Sequence, residues 1–331
     1  MTPLAPGTAT SIGSLPHTDP TAAARLVLDR HAALPAAPSL PRRSLLEGML
    51  AQAAWGLPGV RVLPDGELAV ERSLLDPDAP PDDSALTGEP WVGLQTFLEA
   101  AKGERRRMPI KLQLTGPLTL GIALWRAGAA GPRAFAAAAT AVRHRVRHLV
   151  DLAAQCVPGA PLVVFFDEPW FGLVGDPDLP IGARAATDLL SEALRAAGPG
   201  VTTGVHCCAE ADWAAILHAK PHVLSLPVDH AGRLRPGDVR PHLEGGGYVA
   251  WGAVPTSGPV GDGTTGLWHR LADRWHDLVA GGCDPVLVRT RALVTPACGL
   301  AGHNPEAAVR VLDLATALGN RIAEGAVTTY R

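Results

Sequence analysis

The stretch Pro161-Leu162-Val163-Val164-Phe165-Phe166-Asp167-Glu168-Pro169-Trp170 decides the fold. From Leu162 to Phe166 every residue is apolar. A strand with one wet face alternates polar and apolar residues. An unbroken run marks a strand covered on both faces, as in a parallel sheet under helices. The run stops at two carboxylates and a proline, so polar chemistry starts at the carboxyl end of the strand.

Outward from this strand the same unit recurs: strand, polar loop, helix. Further strands are expected over residues 8–12, 60–63, 109–115, 201–205, 222–226, 247–252 and 286–295. Helices are expected over 21–31, 43–55, 91–102, 118–156, 183–197, 210–219, 264–279 and 305–318, the first opened by Thr18 or Asp19 as cap and Pro20 at its first position. About eight such units imply an α/β fold, a single (β/α)8 TIM barrel. No change of composition marks a boundary, so residues 1–331 are expected to form one domain.

Composition narrows the function. The chain is 47% hydrophobic and 18% charged, enough for a large core. A net charge of −3 argues against a nucleic-acid partner, and the densest basic run, Arg105-Arg106-Arg107, is too short for a binding stripe. The start, Met1-Thr2-Pro3-Leu4-Ala5-Pro6-Gly7, lacks the basic and apolar regions of a signal peptide, and no uncharged apolar run reaches membrane-spanning length. Five cysteines are too few in so long a chain for a disulfide framework. A cytoplasmic protein with reduced thiols is expected, with no membrane partner.

The chemistry-bearing residues keep one position. Ser14, Glu67, Thr115, Asp167, Glu168, His206, Cys208, Asp229 and Cys298 all fall at or just after the carboxyl end of an expected strand. In a barrel those ends form one face, where active sites are built. His206 and Cys208 are two apart, so on an extended segment they point to the same side. With Cys298 they make a nitrogen and two-sulfur donor set, which suits Zn²⁺; three protein ligands with an exchangeable fourth position is the catalytic arrangement. Such a zinc ion activates a substrate thiol as its thiolate, so no protein nucleophile is assigned. Asp167, Glu67 and Ser14 are natural anchors for a small polar substrate, with Thr115 and Glu168 as further candidates. Asp167 and Glu168 also have a plainer reading as salt-bridge partners or helix caps. Cys207, on the opposite side of the segment from Cys208, reads as packing, and Cys156 and Cys283 as inert. His17, His222, His230 and His303 read as ordinary surface or core histidines.

At these residues the chain resembles the cobalamin-independent methionine synthase family, specifically its catalytic C-terminal barrel. The resemblance rests on Ile12-Gly13-Ser14-Leu15-Pro16, Asp65-Gly66-Glu67, Leu114-Thr115-Gly116-Pro117, Phe166-Asp167-Glu168-Pro169, His206-Cys207-Cys208 and Pro296-Ala297-Cys298-Gly299, in the family's order. It implies zinc on His206, Cys208 and Cys298, and homocysteine held by Ser14, Glu67 and Asp167 and methylated to methionine. It also implies the short, core form, for which methylcobalamin or a corrinoid protein is a more natural methyl donor than methyl-tetrahydrofolate. The family's fourth ligand, a Glu after the sixth strand, aligns near Pro227. Asp229 or His230, a water, or the substrate would take that place. Two other readings differ in class. One is a metal-free lyase like uroporphyrinogen decarboxylase, which requires an arginine-lined pocket. The other is a non-catalytic homologue that binds a thiol or a corrinoid.

Overall fold

The computed structural model describes residues 3–82, 86–103 and 107–328. Arg105 and Arg106, the core of the basic run, lie outside the described residues, as do Met1 and Thr2. A short antiparallel hairpin pairs β1 (Val60–Val62) with β2 (Leu68–Val70). Six parallel strands follow in chain order: β3 (Ile110–Thr115), β4 (Leu162–Asp167), β5 (Thr202–His206), β6 (Val223–Pro227), β7 (Tyr248–Val254) and β8 (Ala292–Pro296). Each pairs with the next in sequence, so the sheet curls with helices outside. The architecture is α/β, as the apolar runs imply.

The parallel sheet has six strands, which corrects the expectation of eight. Two extended segments stand where further strands were expected. Ala9 bridges Val294 on β8, Ala36 bridges Lys111 on β3, and Ser14 bridges Ser39 between the two segments. The bridges made by Ala36 and Ser39 stay single because this second segment carries Pro35, Pro38 and Pro41. Proline has no N–H to give to a ladder. The strand expected over residues 60–63 does form, but in the separate hairpin, and the proline-rich loop takes its place beside β3. The strand expected over 286–295 begins only at Ala292. Asp284 caps, and Pro285 starts, a short helix Pro285–Thr290 ahead of it. That helix-start signal outweighs the β-branched run that follows it.

Two apolar compartments hold the fold. The larger lies between the outer face of the sheet and the helices. The smaller fills the inside of the curl, where Val163, Phe165, Val223, Tyr248, Ala250 and Leu293 meet Leu4 and Leu34. The inward residues nearest the carboxyl ends are polar instead, and they open into a cavity. No helix among the described residues is long and apolar enough to cross a membrane.

Candidate metal centre

Strand register assembles the site. Thr115 pairs with Asp167, Asp167 with His206, and His206 with Ser225, so one row of inward side chains runs across β3, β4, β5 and β6. The row lies at the carboxyl ends, and its Thr115, Asp167 and His206 form part of the wall of a cavity of about 340 Å³. Ile12, Met49, Leu114 and Pro169 supply apolar wall, and Ser14, Cys208 and Cys298 also face in.

His206 ends β5 and is buried. Its Nδ1 lies 3.0 Å from Ser225 Oγ, while its buried Nε2 has no protein partner. Cys208 follows two residues on, and Cys298 follows the end of β8. One ligand atom from each of His206, Cys208 and Cys298 lies within 4.8 Å of the others, which among the described residues makes the one group of three or more able to hold a metal ion. The Cys298 thiol is pushed down because Cys208 donates to its sulfur and His206 supports the same charge. Cys208, the donor of that bond, is pushed up. A donor set of one imidazole and two thiols, with the imidazole aimed by a hydroxyl, fits zinc.

Around this cluster the expected residues divide. Asp167 is half-buried beside it. Burial pushes its carboxyl up to about 6, against the pull of His206 and Lys111. Its Oδ1 is buried without a partner. Ser14 lines the cavity against Gly299, where a Cβ would come within 2.1 Å of Ser14 Oγ. Thr115 also lines it, though its hydroxyl already donates to Met49 O at 2.9 Å.

Three expected residues lie elsewhere. Glu168 faces the other side of β4 and accepts from Leu118 N (2.9 Å), Thr119 N (2.7 Å) and Thr119 Oγ1 (2.6 Å). It closes the start of the helix Pro117–Arg126, the plainer of its two readings. Glu67 is exposed in the hairpin turn, where its N–H donates to Asp65 Oδ1, and it does not line the cavity. Asp229 is exposed on the short 3₁₀ helix Val228–Arg233 and pairs with Arg270 at 3.4 Å, so it is not one of the converging ligands. Pro227 ends β6 and brings no ligand atom.

Glu47 is the acidic residue that the sequence reading missed. It lines the cavity, buried at the end of the 3₁₀ helix Leu45–Glu47. One oxygen accepts from Leu40 N at 2.9 Å and the other pairs with Arg43 at 2.6 Å. Its only signal was the four-residue spacing from Arg43, which reads equally as a surface ion pair. Cys207 is buried, with its thiol toward Ala209 O at 3.5 Å, as its packing role implies.

Comparison with known proteins bears on the fold. No family model matches the sequence, and no curated protein matches it. Solved structures do match along nearly the whole chain. One is a B12-independent methionine synthase from Shewanella sp. W3-18-1 in complex with selenomethionine, with TM-score 0.59 at 16% identity, covering 98% of this chain and 100% of that one. The chain has a methionine synthase-like fold. A candidate vitamin-B12-independent methionine synthase from Listeria monocytogenes gives TM-score 0.61 at 14% identity, covering 97% of this chain and 98% of that one. A methyltransferase from Methanosarcina mazei gives 0.55 at 16%, covering 96% and 93%. At these identities the likeness is one of fold.

Proposed function

We propose that this chain is a zinc-dependent methyltransferase that methylates a small thiol, with homocysteine as the acceptor and methionine as the product. The observation that carries the reading is the convergence of His206, Cys208 and Cys298 within 4.8 Å, inside a cavity that also presents the unpartnered Oδ1 of Asp167. The methionine synthase-like fold supports it.

His206, Cys208 and Cys298 would hold the zinc, which when bound lowers the pKa of a thiol and keeps it as the thiolate near neutral pH. The remaining roles belong to the chain. Ser225 fixes the ring of His206 through Nδ1 and leaves Nε2 facing the cluster. Asp167 offers a carboxylate oxygen to the amino group of the acceptor, and Ser14 offers a hydroxyl beside it. The acceptor sulfur supplies the electron pair for the new S–CH₃ bond. The methyl donor keeps the pair from the bond that breaks. The apolar wall of Ile12, Met49, Leu114 and Pro169 limits water beside the reacting sulfur. The donor is methylcobalamin, alone or on a corrinoid protein, in preference to methyl-tetrahydrofolate. The protein acts in the cytoplasm as one domain over residues 1–331, without nucleic-acid or membrane partners.

Metal analysis and an activity assay test the reading together. Purified protein should carry one zinc per chain and transfer the methyl group of methylcobalamin to homocysteine. Stoichiometric zinc that survives replacement of both Cys208 and Cys298 by Ala would sink the metal assignment. Zinc without transfer would point to the non-catalytic thiol binder.

A further inference from the structure

Lys111 lies on β3 with its side chain inside the curl, and it is fully buried. Its ammonium donates to Ile12 O at 2.8 Å and to Gln113 Oε1 at 3.2 Å, and sits 4.6 Å from the centre of the Phe165 ring. Both hydrogen-bond acceptors are neutral oxygens, and the charge that favours the ammonium is the Asp167 carboxylate on the neighbouring strand. A lysine cation is expensive to bury without such partners.

What it holds follows from its neighbours. Gln113 also lines the cavity, and its Nε2 donates to Ala37 O. Gly13 rests directly on the Gln113 carboxamide. A Cβ there would come within 2.5 Å of it, and Gly13 has φ +142. The backbone of Lys111 takes part as well: its N–H donates to Pro35 O, and Ala37 N–H donates to Lys111 O, both at 2.8 Å. A connected path therefore runs from Ile12 through Lys111 and Gln113 to Ala37. It crosses the part of the sheet where two strands are replaced by segments with single bridges. The side chains supply attachments that a strand ladder would otherwise provide.

The geometry points to Lys111 as a positioning residue: with Gln113 it pins both closing segments and thereby sets Ser14 against the cavity. This builds on the proposed reading of the cavity as a thiol-acceptor site. Neither side chain touches the metal ligands' donor atoms, so its effect should fall on acceptor binding and not on metal content.

Hydrogen exchange on the full chain tests the pinning without reference to activity. The reporters are Leu15 N–H, which donates to Ser39 O, and Ser39 N–H, which donates to Gly13 O. In Lys111→Met both should exchange about ten-fold faster, as expected for losing charged hydrogen bonds, while Val205 and Leu224 stay within about two-fold. Gln113→Met should show the same local pattern, and the double variant should be no worse than the more affected single one. In the transfer assay Gln113→Met, which leaves the charge beside Asp167 in place, should raise KM for homocysteine about ten-fold, with kcat and zinc content within about two-fold. Unchanged exchange at Leu15 and Ser39 overturns the inference, and so does a uniform rise across all strands, which marks a general core role. If Lys111→Met does not fold, Gln113→Met decides by the same criteria. Local acceleration in a protein whose wild type transfers no methyl group leaves the pinning standing and removes the methyltransferase reading.

Discussion

Asp167 and His206 are register partners on neighbouring parallel strands, and both carry a buried polar atom without a protein partner, Oδ1 on one and Nε2 on the other. Each such atom costs about 1–3 kcal/mol when left unmet. Both residues line the cavity that holds the cysteine pair, where a bound metal and a bound amino group would partner them.

Ser225 should tune metal affinity without supplying a ligand. Its hydroxyl meets His206 Nδ1 at 3.0 Å and fixes which ring nitrogen faces Cys208 and Cys298. Ser225→Ala is expected to weaken zinc binding about ten-fold, the lower end for partners that orient a metal-binding histidine. Competition with a chromophoric chelator measures it, and thermal unfolding of the metal-free protein should change little.

Gly299→Ala probes the wall behind the acceptor. The new methyl would lie 2.1 Å from Ser14 Oγ, so the Ser14 side chain or its turn must move. KM for the acceptor thiol should rise about ten-fold, an effect of the size of one displaced hydrogen bond, with zinc content preserved. Steady-state kinetics beside metal analysis separates the two. An unchanged KM would remove Ser14 from acceptor binding.

The two acidic residues Glu47 and Glu67 make opposite predictions. Glu67 is exposed in a hairpin turn, so Glu67→Ala should leave acceptor binding within about two-fold and stability within about 0.5 kcal/mol. Glu47 is buried against Arg43 and Leu40 N. Glu47→Ala leaves Leu40 N–H unmet and removes one of the two carboxylates on Arg43, which keeps Glu89 at 3.0 Å, and should cost about 2 kcal/mol of stability, read by denaturant unfolding. A KM raised well beyond two-fold in Glu67→Ala would contradict its placement outside the acceptor site.

His31 predicts a pH dependence away from the site. It is buried with Nε2 3.3 Å from Leu312 O, and burial lowers its pKa to about 4. The unfolded chain takes up this proton near pH 6.5, before the folded chain does. The contribution of His31 is therefore complete above about pH 6.5 and is lost as pH falls toward 4. Its size is about 3 kcal/mol. Buried carboxyls with raised pKa, Glu168 at about 7 among them, slope the other way. The effect is therefore read as wild type minus His31→Leu, from urea unfolding at pH 7, 5.5 and 4. A flat difference would contradict it.

How much was legible varies by residue. The strand 162–167 was, because burial on both faces leaves an unbroken apolar run. The pairing of His206 with Cys208 was local as well, since an extended chain repeats every two residues. Glu47 was not, because a four-residue spacing from Arg43 looks the same whether it faces water or a cavity. The replacement of two strands by bridged segments was only half visible: prolines at 35, 38 and 41 forbid a ladder, yet they do not say which strand edges those segments will join.

By itself the sequence determined the α/β class, most of the strands, and the donor types available at their ends, because burial and side-chain chemistry act over a few neighbouring residues. Only the tertiary structure decided that Cys298 meets Cys208, that Glu47 and not Glu67 lines the cavity, that Asp229 stays with Arg270, and that Lys111 joins the two closing segments. Those relations depend on strand register and on how the curled sheet is completed. Both are set by packing among segments far apart in the chain, and no local pattern encodes them.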